Sequence, residues 1–307
     1  MPAVHSPQIP QVAVLPVTSS AKEVAEIIQR DGGVVIQGFV PDDTINQMHK
    51  EIGDVDESSP LGGLVGKSRT FAHAVLKHRL FYNVGQDILR DVTYPWWGDT
   101  RSMCVSHPVL SVSQAVTLGP QTRGQALHRE DLDHQFEHKD GTGETSMLGI
   151  FVAATDIHAA AQIVLGSHFW ADDHAPASLD QSSTVTLKKG DALITAGSVW
   201  YGLASANSSN TPARLYTAHL VKGYLRSEEN QILATPREVV KTYDPEVQAL
   251  LTYSVSQPWC GYVELDDPIS MVTEGAELSQ KDLMGIIFEG PGSENYEGPK
   301  PVIPLVI

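Results

Sequence analysis

The stretch Gln125-Ala126-Leu127-His128-Arg129-Glu130-Asp131 sets an imidazole and a carboxylate two residues apart. On an extended chain, positions i and i+2 point to the same side, so His128 and Glu130 can reach one metal ion. A second imidazole would complete a two-histidine, one-carboxylate face. Such a face holds Fe(II) on three corners and leaves three open for a bidentate co-substrate and O₂. The third ligand has to arrive from a distant strand. The segment from Asp191 to Gly202, an apolar strand ending in a turn, has the required form, and its ligand position carries Tyr201. The question for this sequence is therefore whether an oxygenase-like scaffold with one ligand position changed still works as an oxygenase.

The elements that must position these groups follow from periodicity. Ser19 or Ser20 caps a helix from Ala21 to about Arg30 with Val24, Ile27 and Ile28 on its buried face, and Asp31-Gly32-Gly33 ends it. Val34 to Val40 reads as a short buried strand, and Pro41-Asp42-Asp43 opens a helix through Ile52 with Ile45, Met48 and Ile52 buried. Phe71 to Leu89 reads as a further helix. From Val109 the period changes to two, and this strand feeds the His128 segment. Met147 to Ala154 is a core strand, and Thr184–Leu187 and Ala192–Ala196 are expected to pair around Lys188-Lys189-Gly190-Asp191. The last long strand, Arg214 to Tyr224, puts Arg214, Tyr216, Ala218 and Leu220 on one face and His219 on the other. His134 and His138, in a charged stretch, are expected to be solvated loop residues, and Pro236 to Leu251 to be helical.

Composition narrows the function classes. With 21 basic against 37 acidic residues the chain carries a formal charge of −16, which repels phosphate backbones and anionic lipid surfaces. Nucleic acid and membrane are not expected as partners, and no apolar run has the length of a span. The two cysteines, Cys104 and Cys260, lie far apart without metal spacing, the pattern of a reduced, cytoplasmic chain.

A helical N-terminus, repeated short strands, the His-x-acid pair, the turn Gly166-Ser167-His168-Phe169-Trp170 and an arginine on the last strand together resemble the phytanoyl-CoA dioxygenase-type Fe(II)/2-oxoglutarate oxygenases. The resemblance covers most of the chain. Gly223 to Gln231 is similar to a segment of fungal members that tailor meroterpenoids and indole alkaloids. The implied fold is mainly β with flanking helices, a double-stranded β-helix or cupin-like jelly roll. It is expected as one domain over residues 1–307, with a helical part at about 19–100, a jelly-roll core at about 109–225 and a C-terminal extension at 226–307. The resemblance further implies Fe(II) and 2-oxoglutarate as cofactors, His128, Glu130 and Tyr201 at the metal positions, and Gln125 and Arg214 at the 2-oxoglutarate positions. An arginine suits that task because its planar fork binds a carboxylate bidentately. His168 sits where the family histidine is structural.

The departures from the family pattern cluster at the chemistry. Glu130 replaces the usual Asp and pushes its oxygens outward by about a bond length, in a first shell where roughly 0.5 Å matters. Tyr201 replaces the second His, and its phenol must lose a proton of ordinary pKa about 10 to bind a metal strongly. His158-Ala159-Ala160-Ala161-Gln162 replaces a polar run that contacts the co-substrate. His219 is expected to face away from the cavity, because Arg214 is expected to face it. Own-site iron is therefore expected to be weak or absent, and no residue is assigned a catalytic role.

Two functions remain. One is a non-catalytic subunit of a heterodimeric Fe(II)/2-oxoglutarate dioxygenase in fungal secondary metabolism, its partner a paralogous catalytic subunit and the substrate of the complex a small natural product. A homodimer would use the same surfaces: Trp96, Trp97, Trp259 and the apolar tail from Val302 to Ile307. The other is an active dioxygenase acting on a polycyclic natural product through an unusual His/Glu/Tyr site. A small-molecule binding protein using the same cavity is a third class without positive support.

Overall fold

The computed structural model describes residues 9–97, 100–101, 103–119, 122–204, 212–264 and 266–273. The chain opens with strand β1 (Ala13–Pro16), helix α1 (Ala21–Asp31), strand β2 (Gly33–Gln37) and helix α2 (Asp42–Ile52). Ser20 caps α1 by accepting from the Glu23 N–H at 3.1 Å, and Gly32 ends it in the left-handed region at φ 90°. Ile45, Met48 and Ile52 form the buried stripe of α2. Strand β3 (Leu61–Gly62) is followed by short helices α3 (Leu64–Lys67) and α4 (Arg69–Phe71), a π-turn at Ala72–Leu76 and helix α5 (Arg79–Leu89). The helix expected from Phe71 to Leu89, interrupted or not, is interrupted.

Two small strand pairs come next, β4 (Asp91–Thr93) with β7 (Cys104–Ser106) and β5 (Trp96–Trp97) with β6 (Thr100–Arg101). The core strands are β8 (Val109–Leu118), β9 (Met147–Ala153), β10 (Ile157–Val164), β11 (Ser183–Leu187), β12 (Ala192–Ala196), β13 (Trp200–Leu203) and β14 (Ala213–Val221). They form a seven-stranded sheet in the order β1-β2-β12-β9-β14-β8-β3 and a three-stranded sheet in the order β11-β10-β13. The fold is mainly β with flanking helices.

Both faces of the large sheet are covered, which explains why β9 is buried at every position. Ile150 and Val152 point outward and pack with Val24, Ile28, Phe81 and Val84 of α1 and α5. Phe151 and Ala153 point inward, where they meet Ala161, Ile163, Val185 and Leu203 of the small sheet. Alternation of side chains across the strand thus serves two cores at once.

Two expectations need correction. β11 and β12 do not pair: β11 joins β10, whereas β12 lies between β2 and β9, so the turn at Lys188–Asp191 carries the chain from one sheet to the other. Asp191 holds that crossing, its carboxylate accepting from the N–H groups of Gly38 (2.9 Å) and Lys188 (3.0 Å). The segment from Pro236 to Leu251 is two helices, α7 (Arg237–Val240) and α8 (Pro245–Leu250), rather than one, after a short α6 (Gln231–Ala234). Pro245 starts α8, with Asp244 as its cap. The apolar tail Val302 to Ile307 lies outside the described residues.

Candidate metal centre

The His-x-Glu segment is laid along the free edge of β13. The Gln125 N–H donates to the Leu203 carbonyl (2.8 Å), and His128 and Tyr201 exchange both backbone hydrogen bonds (2.9 and 3.0 Å). The Glu130 N–H then donates to the carbonyl of Gly197, in the turn after β12, at 2.8 Å. A β-carbon at Gly197 would stand 2.7 Å from that of Met147, so the close approach depends on glycine. These backbone bonds bring His128, Glu130 and Tyr201 together.

The side chains converge on Glu130. The Tyr201 hydroxyl donates to Glu130 Oε2, and His128 Nε2 faces the same oxygen at 3.4 Å. His128 Nδ1 lies 2.8 Å from the Ala126 carbonyl, an acceptor that fixes the proton on Nδ1. His219 Nε2 lies 3.7 Å from the other oxygen, Oε1. Phe151 packs edge-on against both Tyr201 and His219, with ring centroids 5.3 and 5.4 Å away.

Charge in this cluster follows from its composition. Burial works against ionisation of Glu130, but the charge of His219 and the bonds from His128 and Tyr201 outweigh it, bringing the carboxyl down to about 2. The bond to Glu130 raises His128 above its ordinary value against the opposing effect of burial. Burial first, and the Glu130 charge second, push the Tyr201 phenol well above its ordinary value. Tyr201 is therefore a protonated donor to the carboxylate and a poor metal ligand.

His219 is the residue that the sequence reading placed on the wrong side. Strand β14 does have opposite faces for His219 and Arg214, but His219 looks inward with Leu215, whereas Arg214 looks outward with Tyr216. Arg214 Nη1 lies 2.7 Å from His49 Nδ1 on α2 and donates to the Gly53 carbonyl at 2.9 Å. Gln125 is exposed at the rim, its side-chain oxygen accepting from the Leu203 N–H at 3.0 Å. Neither 2-oxoglutarate position joins the cluster. The signal for His219 was Gly149, a glycine inside an otherwise apolar core strand, which marks a close approach. It pairs directly with His219, and a β-carbon there would lie 2.9 Å from the ring Nε2.

His138 also departs from expectation, being 6% exposed rather than solvated. Its ring bridges Asp172 Oδ1 (2.9 Å) and Asp131 (3.2 Å), and Asp172 pairs with the buried Arg129 at 2.7 Å. Two carboxylates and two cations thus brace the backbone on either side of Glu130. His134 Nε2 lies 3.0 Å from the Arg226 carbonyl, and His168 Nε2 3.0 Å from that of Gln29, in keeping with a structural place for His168.

Residues 28–215 match the family model for phytanoyl-CoA dioxygenase (PhyH). The chain belongs to the phytanoyl-CoA dioxygenase family. Dioxygenase swnH2 of Arthroderma benhamiae is 28% identical over 280 residues, covering 84% of this chain and 88% of its own. Dioxygenase peniF of Penicillium patulum is 28% identical, covering 82% and 88%. Among solved structures, the non-heme alpha ketoglutarate dependent epimerase SnoN from nogalamycin biosynthesis aligns with a TM-score of 0.49 at 17% identity, over 66% of this chain and 82% of its own.

The family's groups are iron and 2-oxoglutarate, and the residues present treat them differently. Two imidazoles and a carboxylate, from His128, His219 and Glu130, are the donor types that suit Fe(II). His219 is 4% exposed and neither ring nitrogen has a hydrogen-bond partner, so a polar group in need of one points into the cluster. Among the described residues no three His, Cys, Asp or Glu side chains are placed to hold a metal ion, so the donor types are present but the arrangement does not fit one. 2-Oxoglutarate is not accommodated in the same way. Arg214 is engaged on the far face of the sheet, and Ala161, Leu203, Ala213 and Leu215 fill the inner face with apolar side chains.

Proposed function

We propose that this phytanoyl-CoA dioxygenase family chain is the non-catalytic subunit of a heterodimeric Fe(II)/2-oxoglutarate dioxygenase in fungal secondary metabolism, of the meroterpenoid-tailoring kind. The observation that carries the reading is the hydroxyl of Tyr201 donating to Glu130 while Arg214 is bonded to α2. The position of the usual second histidine is spent on a hydrogen bond, and the cationic anchor for the co-substrate is turned away. Fe(II) with bound 2-oxoglutarate activates O₂ in the catalytic partner. Here Glu130 accepts from Tyr201 and faces His128, and the apolar side chains of Ala161, Leu203, Ala213 and Leu215 beside them do not favour a dianion.

A silent chain acts by contact, and exposed apolar groups support a docking role. Trp96 is 65% exposed and Leu233 81%, with Tyr224 and Ile232 also exposed, the last two at either end of the segment that resembles fungal tailoring enzymes. The cytosolic setting is supported by Cys104 and Cys260, both unpaired, and among the described residues no helix is long and apolar enough to cross a membrane.

The test is reconstitution. The catalytic paralogue is assayed alone and with this chain for solubility, melting temperature and turnover. Equal behaviour alone and together overturns the proposal, as does consumption of 2-oxoglutarate by this chain unaided. The latter result would instead establish the second reading, an active dioxygenase, which the inward-facing His219 favours.

A further inference from the structure

We propose that a cavity on the outer face of the large sheet binds a ring-bearing organic amine, with the ring system against Phe136 and Phe169 and the ammonium at Glu144. The cavity measures about 580 Å³ and lies where α1, α5 and the ends of β12 and β14 meet the loop before β9. Ile28 and Ala196 in its wall belong to the core on the helix side of that sheet, whereas Phe151 and Tyr201 belong to the core on the other side. The sheet thus separates this cavity from the Glu130 cluster. The assignment is independent of whether the chain has a protein partner.

Three observations carry it. The first is size and lining. Small-molecule sites run to about 300–1,000 Å³ and combine apolar and aromatic walls with a few polar groups. Here Ile28, Ile88, Phe136, Phe169 and Tyr224 supply the apolar wall, and the three aromatic rings are only partly covered. The second is charge. Lys222, the one lysine or arginine in the wall, is already matched by the Asp91 carboxylate, to whose two oxygens it donates at 3.0 and 3.2 Å. Glu144, exposed in the same wall, has neither a hydrogen bond nor an ion pair among the described residues. The third is placement. A β-carbon at Gly143 would stand 2.6 Å from Cε1 of Phe169, so glycine lets that ring lie on the backbone next to Glu144. An aromatic surface and an unmatched carboxylate are thereby set side by side.

That pairing recognises an organic cation. The face of an aromatic ring attracts positive charge, and the carboxylate accepts from the ammonium N–H groups. An anionic ligand would bring a second negative charge beside Glu144 with Lys222 already taken, and a neutral one would leave the carboxylate without a partner. The apolar walls call for a body of fused or linked rings. The ligand class is therefore opposite in charge to 2-oxoglutarate, and its site lies across the sheet from the position that co-substrate would take.

The experiment titrates the full chain calorimetrically at neutral pH with three matched probes, 1-naphthylmethylamine, 1-naphthalenemethanol and 1-naphthaleneacetate. Salt at about 0.15 M screens the net charge of the chain, so that only contact at the site separates the three. The expected result is one amine per chain, bound at least about tenfold more tightly than the acetate, with the alcohol between them. Glu144→Arg, at an exposed position, should reverse that order in favour of the acetate. Ile88→Trp should fill the cavity and weaken all three probes; if it fails to fold, Tyr224→Ala, at an exposed position, takes its place with the same loss expected. No binding of any probe at millimolar concentration, an amine bound no better than the acetate, an order unchanged in Glu144→Arg, or full affinity in the folded wall variant overturns the assignment. None of these outcomes bears on the partner assay.

Discussion

His219 stands directly across from Gly149 on the neighbouring strand, and its ring occupies the space that a side chain at residue 149 would need. Gly149→Ala should force the imidazole or β9 to move. A misfit of this kind costs about 1–3 kcal/mol, readable as a lower midpoint in urea unfolding. A neutral substitution would mean that the ring has room elsewhere.

Tyr201→Phe removes the hydroxyl that Glu130 accepts from, in a site where the tyrosine is 2% exposed. A hydrogen bond to a charged group contributes about 1.5–3 kcal/mol, and chemical denaturation at neutral pH should show a loss of that size. The pH dependence has a definite sign. Glu130 is held at about 2, below its ordinary value, so its contribution is complete above the unfolded carboxyl pKa and disappears as pH falls toward about 2. The difference between native chain and variant should shrink across that acid window.

Combining Tyr201→His with Glu130→Asp rebuilds the usual triad on this backbone. Fe(II) affinity should rise at least about tenfold, equivalent to about 1.4 kcal/mol. Adding 2-oxoglutarate should still produce no chelate charge-transfer band, because Arg214 remains bonded to His49 and Gly53. Appearance of that band would show that Arg214 turns inward readily.

His138 should make the chain more stable at mildly acidic than at mildly alkaline pH. Burial opposes its charge, but Asp131 and Asp172 raise its pKa above the ordinary histidine value. A raised folded pKa means a contribution complete below the unfolded value and lost as pH climbs through the folded one. His128 is shifted in the same direction, so the measurement is a comparison of melting temperature against pH for the native chain and His138→Gln. The variant should lose about 1–3 kcal/mol at pH 6, since buried Asp131 loses its partner while half-exposed Asp172 keeps Arg129, and less at pH 9.

The sequence made the scaffold readable because period and capping are local. Ser20, Gly32 and the Val24–Ile28 stripe define α1 without reference to anything distant, and β8 announces itself by alternation. The pairing of strands is not local. Nothing in Thr184–Ala196 says that two strands joined by a short turn belong to different sheets; that follows from β2 claiming the edge of β12. The same limit governed the site. Spacing and resemblance single out His128, Glu130 and Tyr201, which backbone bonds bring together. The inward face of β14 is not legible, because both of its faces are buried and alternation alone does not label them. His138 runs against the expectation because its charged neighbours, which ordinarily mean solvent, here pair with it, Asp131 from the interior and Asp172 from the surface.

Strand β2 lies between β1 and β12, so Val34 sits opposite Ile194. Synthesis at about 5–20 residues per second means that the partner strand leaves the ribosome on the order of ten seconds after β2 does. Hairpins form in about 1–10 μs, so neighbouring segments have ample time to settle while this edge waits. The nascent chain therefore carries an apolar β-ribbon with one edge unpaired through about half of its translation. That ribbon is where a ribosome-associated chaperone would have the most to do, and where a premature stop before residue 192 would leave the product prone to aggregate.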